Sequence, residues 1–467
     1  MRIAYLTGEY PRATDTFIQR EVITLRQMGV DVHTFSIRPT GDEHMVGEEQ
    51  KSERDRTFYI LPANPIKLFF THLSLLFVTP KEYFDAVKLA WLTSQPGLRG
   101  ALYQLFYFLE AGILAKQIKI RKLVHLHNHI AEASGTVAML AAKLGGFTYS
   151  FTLHGPNIFF RAHQWRLDEK IKRALFVSCI SNYARSQGMI FAPHEKWNRM
   201  HIIHCGIDPK LFNVVSHQNS GDQNSGDQNS GEKNQGKRLL FVGRLATAKG
   251  LPILLESLVV LKRLYPDILL TVVGDGPDRE SLQKITAQLG LNSNVHYVGY
   301  KSQAEVREYF QQTDIFVMSS FAEGIPVVLM EAMASGIPVV ATQIAGVSEL
   351  VEDGINGCLV PPGNAIFLQE KIEKLLLDAS LRVKFGTAGR LKVEQEFNIH
   401  HEVARLHQLM IKALQGENEP NSQFAISLYG QAARSLTDTQ FPHSQLPTPH
   451  SPSSTSSHVP HSLKYNL

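Results

Sequence analysis

A chain of 467 residues exceeds what one ordinary hydrophobic core supports and points to two domains with additions. Its 43% hydrophobic and 19% charged residues are a globular composition, and 47 basic against 43 acidic residues, a net +4, is too even a balance to argue for a nucleic-acid partner. Three widely spaced cysteines, Cys179, Cys205 and Cys358, make neither a disulfide framework nor a zinc pattern, so a reducing cytoplasm is expected, and the N-terminus enters a strand with no signal peptide in evidence.

Arg2–Thr7 predicts a strand ending in Gly8. The loop GEYPRATDTF then leads into a helix with Ile18, Val22, Leu25 and Met28 on one face, Thr16 and Gln19 as a capping box and Gly29 as its stop. Val30–Ile37 is the next strand, and strand, glycine loop, helix, strand opens a doubly wound parallel sheet.

Ile60–Leu114 is rich in Phe, Leu and Tyr. Within it, Ile66–Val78 is mainly apolar but contains Lys67 and His72 and is too short to span a bilayer, which needs about 20 residues. The expected reading is a buried helix pair. The alternative is an interfacial one, favoured by Lys67, Lys81, Lys88, Arg99, Lys116, Lys119, Arg121 and Lys122 scattered among the apolar residues, a composition that suits an anionic membrane surface.

Leu123–Ile130 places His125, His127 and His129 on one strand face by the two-residue period. Neighbouring side chains on a strand diverge and no Cys or carboxylate accompanies these histidines, so no metal site is expected. Phe147–Leu153 is a further strand, closed by His154-Gly155-Pro156-Asn157, where Gly155 admits a close backbone approach. Leu175–Ile180 runs into Ser181-Asn182, and the last strand of this half lies in Met200–Asp208, where His201, His204 and Cys205 form no ligand set. Residues 217–236, HQNSGDQNSGDQNSGEKNQG, repeat a five-residue unit without one apolar side chain. Such a segment cannot bury surface to offset its ordering entropy and reads as a flexible linker. The expected boundaries are a first domain over 1–210 and a linker over 211–237.

Arg238–Arg244 restarts a strand, after which Gly243-Arg244 and Lys249-Gly250 set glycines beside two cations. Ile268–Gly274 ends in the turn Gly274-Asp275-Gly276-Pro277, and Asn294–Gly299 ends at Tyr300-Lys301. Asp314–Met318 then leads into SSFAEGIPVVLMEAMASG, where Glu323 and Glu331 stand eight positions apart with a helix start at Pro326 between them. The unpaired N–H groups and positive dipole end of that helix favour a phosphate, and carboxylates to either side accept hydroxyls. Hydroxyl, phosphate, hydroxyl in order describes a nucleotide sugar. Glu349 after Gly346 belongs either near this donor or at a helix terminus. The second domain is expected over 238–395, a last helix over 396–416, and a disordered Ser/Pro/His-rich tail over 417–467.

Glu323-Gly324-Ile325-Pro326-Val327-Val328-Leu329-Met330-Glu331 resembles the E-x7-E motif of the retaining GT-B glycosyltransferases often grouped as family 4, the glycosyl transferases group 1. The flank IPVVATQIAGVSELVEDGINGCLVPPGN and the G-R…K-G pair extend the resemblance, and PRATDTFIQREV is similar to members that build exopolysaccharides of the colanic-acid type. It implies an α/β GT-B fold, two Rossmann-like doubly wound parallel-sheet domains facing a central cleft, with the last helix, 396–416, similar to the one that crosses back to the first domain in this family. It implies catalytic roles for His154, Arg244, Lys249 and Glu323, and a donor site of Gly243, Arg244, Lys249, Gly274, Tyr300, Glu323, Gly324, Ile325 and Glu331. It implies an acceptor side of Gly8, Glu9, Asp15, Thr16, His127 and His129, with Arg12 in the same loop. The donor would be a UDP- or GDP-sugar used without a protein-bound metal. The acceptor would be a saccharide or lipid-linked saccharide at the cytoplasmic membrane face, attacking with retention of anomeric configuration. Two other readings stay open: a nucleotide-sugar-binding, non-catalytic partner of another transferase, and a GT-B epimerase. A dehydrogenase is disfavoured, because no G-x-G-x-x-G follows the first strand.

Overall fold

The computed structural model describes residues 1–12, 15–44, 47–215 and 237–417. The QNSGD-like repeat and the Ser/Pro/His-rich tail lie outside the described residues. The first sheet contains β1 (Arg2–Glu9), β2 (Asp31–Arg38), β3 (Phe58–Tyr59), β4 (His125–His129), β5 (Thr148–Leu153), β6 (Val177–Cys179) and β7 (Met200–Ile202). The second contains β8 (Arg238–Val242), β9 (Leu269–Val273), β10 (Val295–Gly299), β11 (Ile315–Met318), β12 (Val339–Thr342) and β13 (Cys358–Val360). Seven helices bear on the site and its surroundings: α1 (Thr16–Gln27), α2 (Pro65–Val78), α3 (Pro80–Thr93), α4 (Leu98–Ile120), α5 (Asn182–Phe191), α6 (Val327–Ala334) and α7 (Ile399–Gln415).

The strand orders are β3-β2-β1-β4-β5-β6-β7 and β10-β9-β8-β11-β12-β13, and the paired strands are parallel. Parallel strands need helical crossovers, which cover both faces of the sheet and leave the strands apolar on both sides. Ala4 and Leu6 of β1 enter one core and Ile3 and Tyr5 the other, while Leu240 of β8 faces away from Leu239 and Phe241. Each sheet reverses its order beside its first strand, β1 against β4 and β8 against β11. In such sheets the crevice beyond the strand carboxyl ends at the switch point is where ligands collect.

The chain leaves the first domain through residues 203–207 and returns at Phe397–Ile399, the two crossings lying side by side. Ile207 N–H donates to Phe397 O at 3.0 Å and Ile399 N–H to Ile207 O at 2.9 Å. Gly206 is required there, since a Cβ on it would fall 2.5 Å from Ile399 Cα. After the crossing, α7 packs Val403, Leu406 and Met410 against Ile3, Tyr5, Val22 and Leu25 of the first domain. Each buried aliphatic stabilises this return by about 1.5–3 kcal/mol, and Leu406→Ala would cost about 2–5 kcal/mol.

Two sequence expectations are corrected. Helix α1 begins at Thr16 with Asp15 in the cap position, and Gln19, instead of closing a capping box, accepts a hydrogen bond from Gln50 at 3.1 Å. The Ile66–Val78 stretch is helical but not buried: only Thr71, His72 and Leu75 of α2 are, while Ile66, Phe69, Phe70, Phe77 and Val78 are exposed.

Candidate active site

On the first domain, β5 delivers His154 to the strand carboxyl edge. Its Nε2 lies 2.7 Å from His129 Nδ1, its Nδ1 lies 3.6 Å from Cys205 Sγ, and its ring packs on Phe17 with centroids 4.6 Å apart. His129 Nε2 is 3.2 Å from Glu21 Oε1, which also accepts the Tyr5 hydroxyl at 2.7 Å. Burial holds His129 down to about 3, and burial followed by the neighbouring His129 pushes His154 well below the usual imidazole value. Burial raises Glu21, opposed by His127 and by the Tyr5 hydrogen bond. At neutral pH both rings are therefore neutral, and one nitrogen of the His129–His154 contact carries the shared proton.

His127 departs from the expected cleft position. It is fully buried, with Nδ1 2.7 Å from Ser150 Oγ and Nε2 2.9 Å from Thr152 Oγ1, and it continues a row begun by His125 on Thr148 and Ser150. His129 is equally buried and reaches the cleft only through His154. The two-residue period gave these histidines one face correctly, but depth along the strand decides which meets the cleft. Glu21, His127 and His129 hold their ligand atoms within 4.8 Å of one another, a spacing a metal could bridge, but both His127 nitrogens are engaged by hydroxyls.

The remaining acceptor-side residues surround the start of α1. Gly8 lies within β1 and faces open space, Arg12 Nε is 3.8 Å from Glu9 and 3.7 Å from Asp15, and Thr16 is the first helical residue. The Phe17–His154 contact brings this loop beside His154.

On the second domain, Lys249 Nζ lies 2.6 Å from Glu323 Oε1, which Ser320 Oγ also reaches at 2.7 Å. Arg244 is exposed and makes no side-chain hydrogen bond or ion pair among the described residues. Gly274, at φ +131°, permits an approach that a Cβ would block, 2.0 Å from Gly243 O. Tyr300 is exposed just after Gly299, and Ile325 is buried. Pro326 occupies the cap position of α6, which no side chain caps, so its first N–H groups remain available to an anion. Glu331 lies within α6.

The two walls touch. Gly324 packs so closely on His154 that a Cβ would fall 2.1 Å from the His154 carbonyl oxygen. Arg20 of α1 reaches Glu331 Oε1 at 2.7 Å and Gln303 Oε1 at 3.1 Å. Glu349 caps α5 across the cleft, accepting from Asn182 N–H at 2.7 Å and Tyr183 N–H at 2.9 Å, so its helix-terminus role is served in the opposite domain. The structure thus joins Glu323, Gly324, Lys249 and His154 in one place and Glu331 with Arg20 in another. Sequence reasoning missed Phe17, Arg20 and Glu21. Phe17 and Glu21, four apart, lie one helical turn from each other, away from the Ile18–Val22 core face, and such a pair just after a cleft loop was the available signal.

Two Rossmann-like parallel sheets meeting across a cleft of glycines, cations and carboxylates define a GT-B fold. The solved structure of Anabaena HepE with UDP shares it, at TM-score 0.65 and 18% identity over 88% of this chain and 100% of that one. So does sucrose-phosphate synthase from Thermosynechococcus elongatus, at 0.64 and 19% over 89% and 100%. Residues 222–392 match the family model described as Glycosyl transferases group 1. Among curated relatives, the amylovoran biosynthesis glycosyltransferase AmsK of Erwinia amylovora is 27% identical over 88% of this chain and 99% of its own. The putative colanic acid biosynthesis glycosyltransferase WcaL of Salmonella typhimurium is 35% identical over 36% and 44%. Residues 222–392 thus resemble a group 1 glycosyl transferase domain, and with the likeness to named glycosyltransferases this makes the chain a transferase enzyme.

Proposed function

We propose that this enzyme moves a sugar from a nucleoside diphosphate, UDP or GDP, to a hydroxyl of a lipid-linked saccharide during assembly of an extracellular polysaccharide, with retention at the anomeric carbon. The observation that carries the reading is the meeting of Lys249, Glu323 and Gly324 with His154 where the two domains touch. Likeness along nearly the whole length of an amylovoran biosynthesis enzyme supports the polysaccharide setting, and a structural neighbour holding UDP supports the donor class.

In this reading Arg244, Lys249 and the uncapped N–H groups of α6 take the diphosphate, neutralising charge as the anomeric bond breaks, so that no protein-bound metal is needed. Glu331 accepts the ribose hydroxyls and Glu323 those of the transferred sugar. His154 walls the sugar pocket, and the Gly8, Glu9, Asp15 and Thr16 side receives the acceptor, whose hydroxyl attacks from the leaving-group face. The enzyme would work as a peripheral protein on the cytoplasmic membrane face; no helix among the described residues is long and apolar enough to cross a membrane.

A thermal-shift screen with UDP-, GDP- and ADP-sugars tests this, because a ligand bound only by the native state raises the melting temperature. One nucleotide sugar is expected to stabilise selectively and to give an acceptor product of unchanged anomeric configuration by NMR. Absence of stabilisation by every donor, or an inverted product, overturns the assignment.

A further inference from the structure

Helices α2, α3 and α4 pack on one another and are apolar on opposite sides. Inward, Leu75, Ala86, Leu89, Phe108 and Leu114 are buried, most of them in the first-domain core. His72 pins α2 to α4, its Nε2 3.1 Å from Leu109 O, over Gly112 where a Cβ would clash. Outward, Phe69, Phe77, Phe84, Trp91, Leu98 and Phe106 are about half to nine-tenths exposed, Trp91 at 77% and Leu98 at 88%. A helix apolar all round needs cover on both sides, and this many large apolar side chains exposed on three helices packed together are more than the single, scattered exposure normal for a protein surface.

The charges beside this face select its cover. Lys67, Lys81, Lys88 and Arg99 are exposed, whereas of the acids Glu110 is buried, Asp85 is tied to Lys143 at 2.8 Å and Glu82 is half-buried, so the cations are in excess. Lys88 and Leu92 also line a groove of about 640 Å³ whose other charged residues are Asp85, Lys143, Arg173 and Arg199. Aromatic and aliphatic side chains between exposed cations suit the headgroup boundary of an anionic bilayer. Arg38, the last residue of β2, is the charge that acts on Glu110, and it acts more weakly on Tyr103 after Arg99 and on Tyr107 after Glu110. The first half of α4 therefore stands at the strand carboxyl edge, where the cleft opens.

We infer that the outer face of α2, α3 and α4 seats this enzyme on an anionic phospholipid surface, with Phe69, Phe77 and Trp91 entering the headgroup boundary and Lys67, Lys81 and Arg99 meeting lipid phosphates. This deepens the membrane-face part of the proposed function, and its test is read separately from transfer. Flotation of the full chain with phosphatidylcholine vesicles, with or without phosphatidylglycerol, is expected to show at least about fivefold more bound protein on the anionic ones. Combined Phe69→Ser, Phe77→Ser and Trp91→Ser should abolish this binding with an unchanged melting temperature. Combined Lys67→Glu, Lys81→Glu and Arg99→Glu should remove the preference for phosphatidylglycerol. Equal binding to both vesicle types, no binding, or parent-like binding by the serine variant overturns the inference. So does sedimentation equilibrium showing a parent dimer that the serine variant dissociates, which would assign the face to a second copy. Transfer to a water-soluble acceptor, measured without vesicles, reports on the proposed chemistry independently of all these outcomes.

Discussion

Arg20 of the first domain donates to Glu331 of the second at 2.7 Å, and both side chains are largely withdrawn from solvent, at 16% and 13% exposure. Arg20 also carries a buried Nη1 with no hydrogen-bond partner. If Glu331 accepts a ribose, the nucleotide must share this carboxylate with Arg20 or displace it. Arg20→Ala removes the competitor, and a partly buried, charge-assisted contact is worth on the order of 1 kcal/mol. Nucleotide affinity by calorimetry should therefore rise several-fold in the variant, without a rise in kcat. Unchanged or weaker affinity would show that Arg20 does not compete for Glu331.

Gly324 and Gly8 make a paired test of how closely the domains must meet. A Cβ at Gly324 would fall 2.1 Å from the His154 carbonyl, whereas one at Gly8 meets nothing within 4 Å. Gly324→Ala must push the walls apart, and misplacement by about 1 Å at a reacting centre can cost about 100-fold in rate. Gly324→Ala is expected to lose about 10–100-fold in kcat/KM and Gly8→Ala less than about threefold. Similar losses in both variants would remove the argument from contact.

Much of this architecture was legible because burial on both faces leaves an unmistakable local trace. Runs such as Leu239–Phe241 and Phe316–Met318 are continuously apolar because helices cover both sides of their sheets. The Glu323–Glu331 spacing and the glycine-flanked cations are likewise local. What escaped depends on distance or depth. Arg20 and Glu331 are 311 residues apart, and Glu349 caps a helix 167 residues away, so neither pairing leaves a periodic signal. His127 and His129 share a strand face and differ only in what lies at the end of the strand. The Ile66–Val78 composition is the same for a helix covered on both sides by protein and for one that is not.

Arg244 and Lys249 separate catalysis from stability. Arg244 is exposed and without a side-chain partner among the described residues, so Arg244→Ala should change stability by no more than about 0.5 kcal/mol. Losing a cation at a breaking phosphate bond should nevertheless lower kcat by about 100–1,000-fold. Lys249→Ala also leaves Glu323 with Ser320 alone, so its rate loss should come with a lower melting temperature. Turnover and melting curves on both variants check this. Near-parent turnover in Arg244→Ala would take that residue out of the donor site.

The buried histidines make an acid-sensitive first domain. Burial holds His125 and His129 at about 3 and, with the neighbouring His129, pushes His127 well below the ordinary value near 6.5, and all three are inaccessible to water. The folded-state values lie below the unfolded ones, so below pH 6.5 the unfolded chain takes up protons that the folded chain refuses. Stability is thus complete above pH 6.5 and falls continuously as pH drops toward 3. At pH 5 His125 and His129 each cost about 2 kcal/mol, about 4 kcal/mol together, and His127 acts in the same direction, a large part of a typical domain's stability. Melting temperatures should be nearly level from pH 7 to 8 and drop steeply between pH 6 and 5. His125→Asn tests the assignment: it should melt lower than the parent at pH 8, having lost the Thr148 and Ser150 partners, yet decline less steeply below pH 6. A parent profile that stays level to pH 4.5, or an equally steep decline in the variant, would locate the acid sensitivity elsewhere.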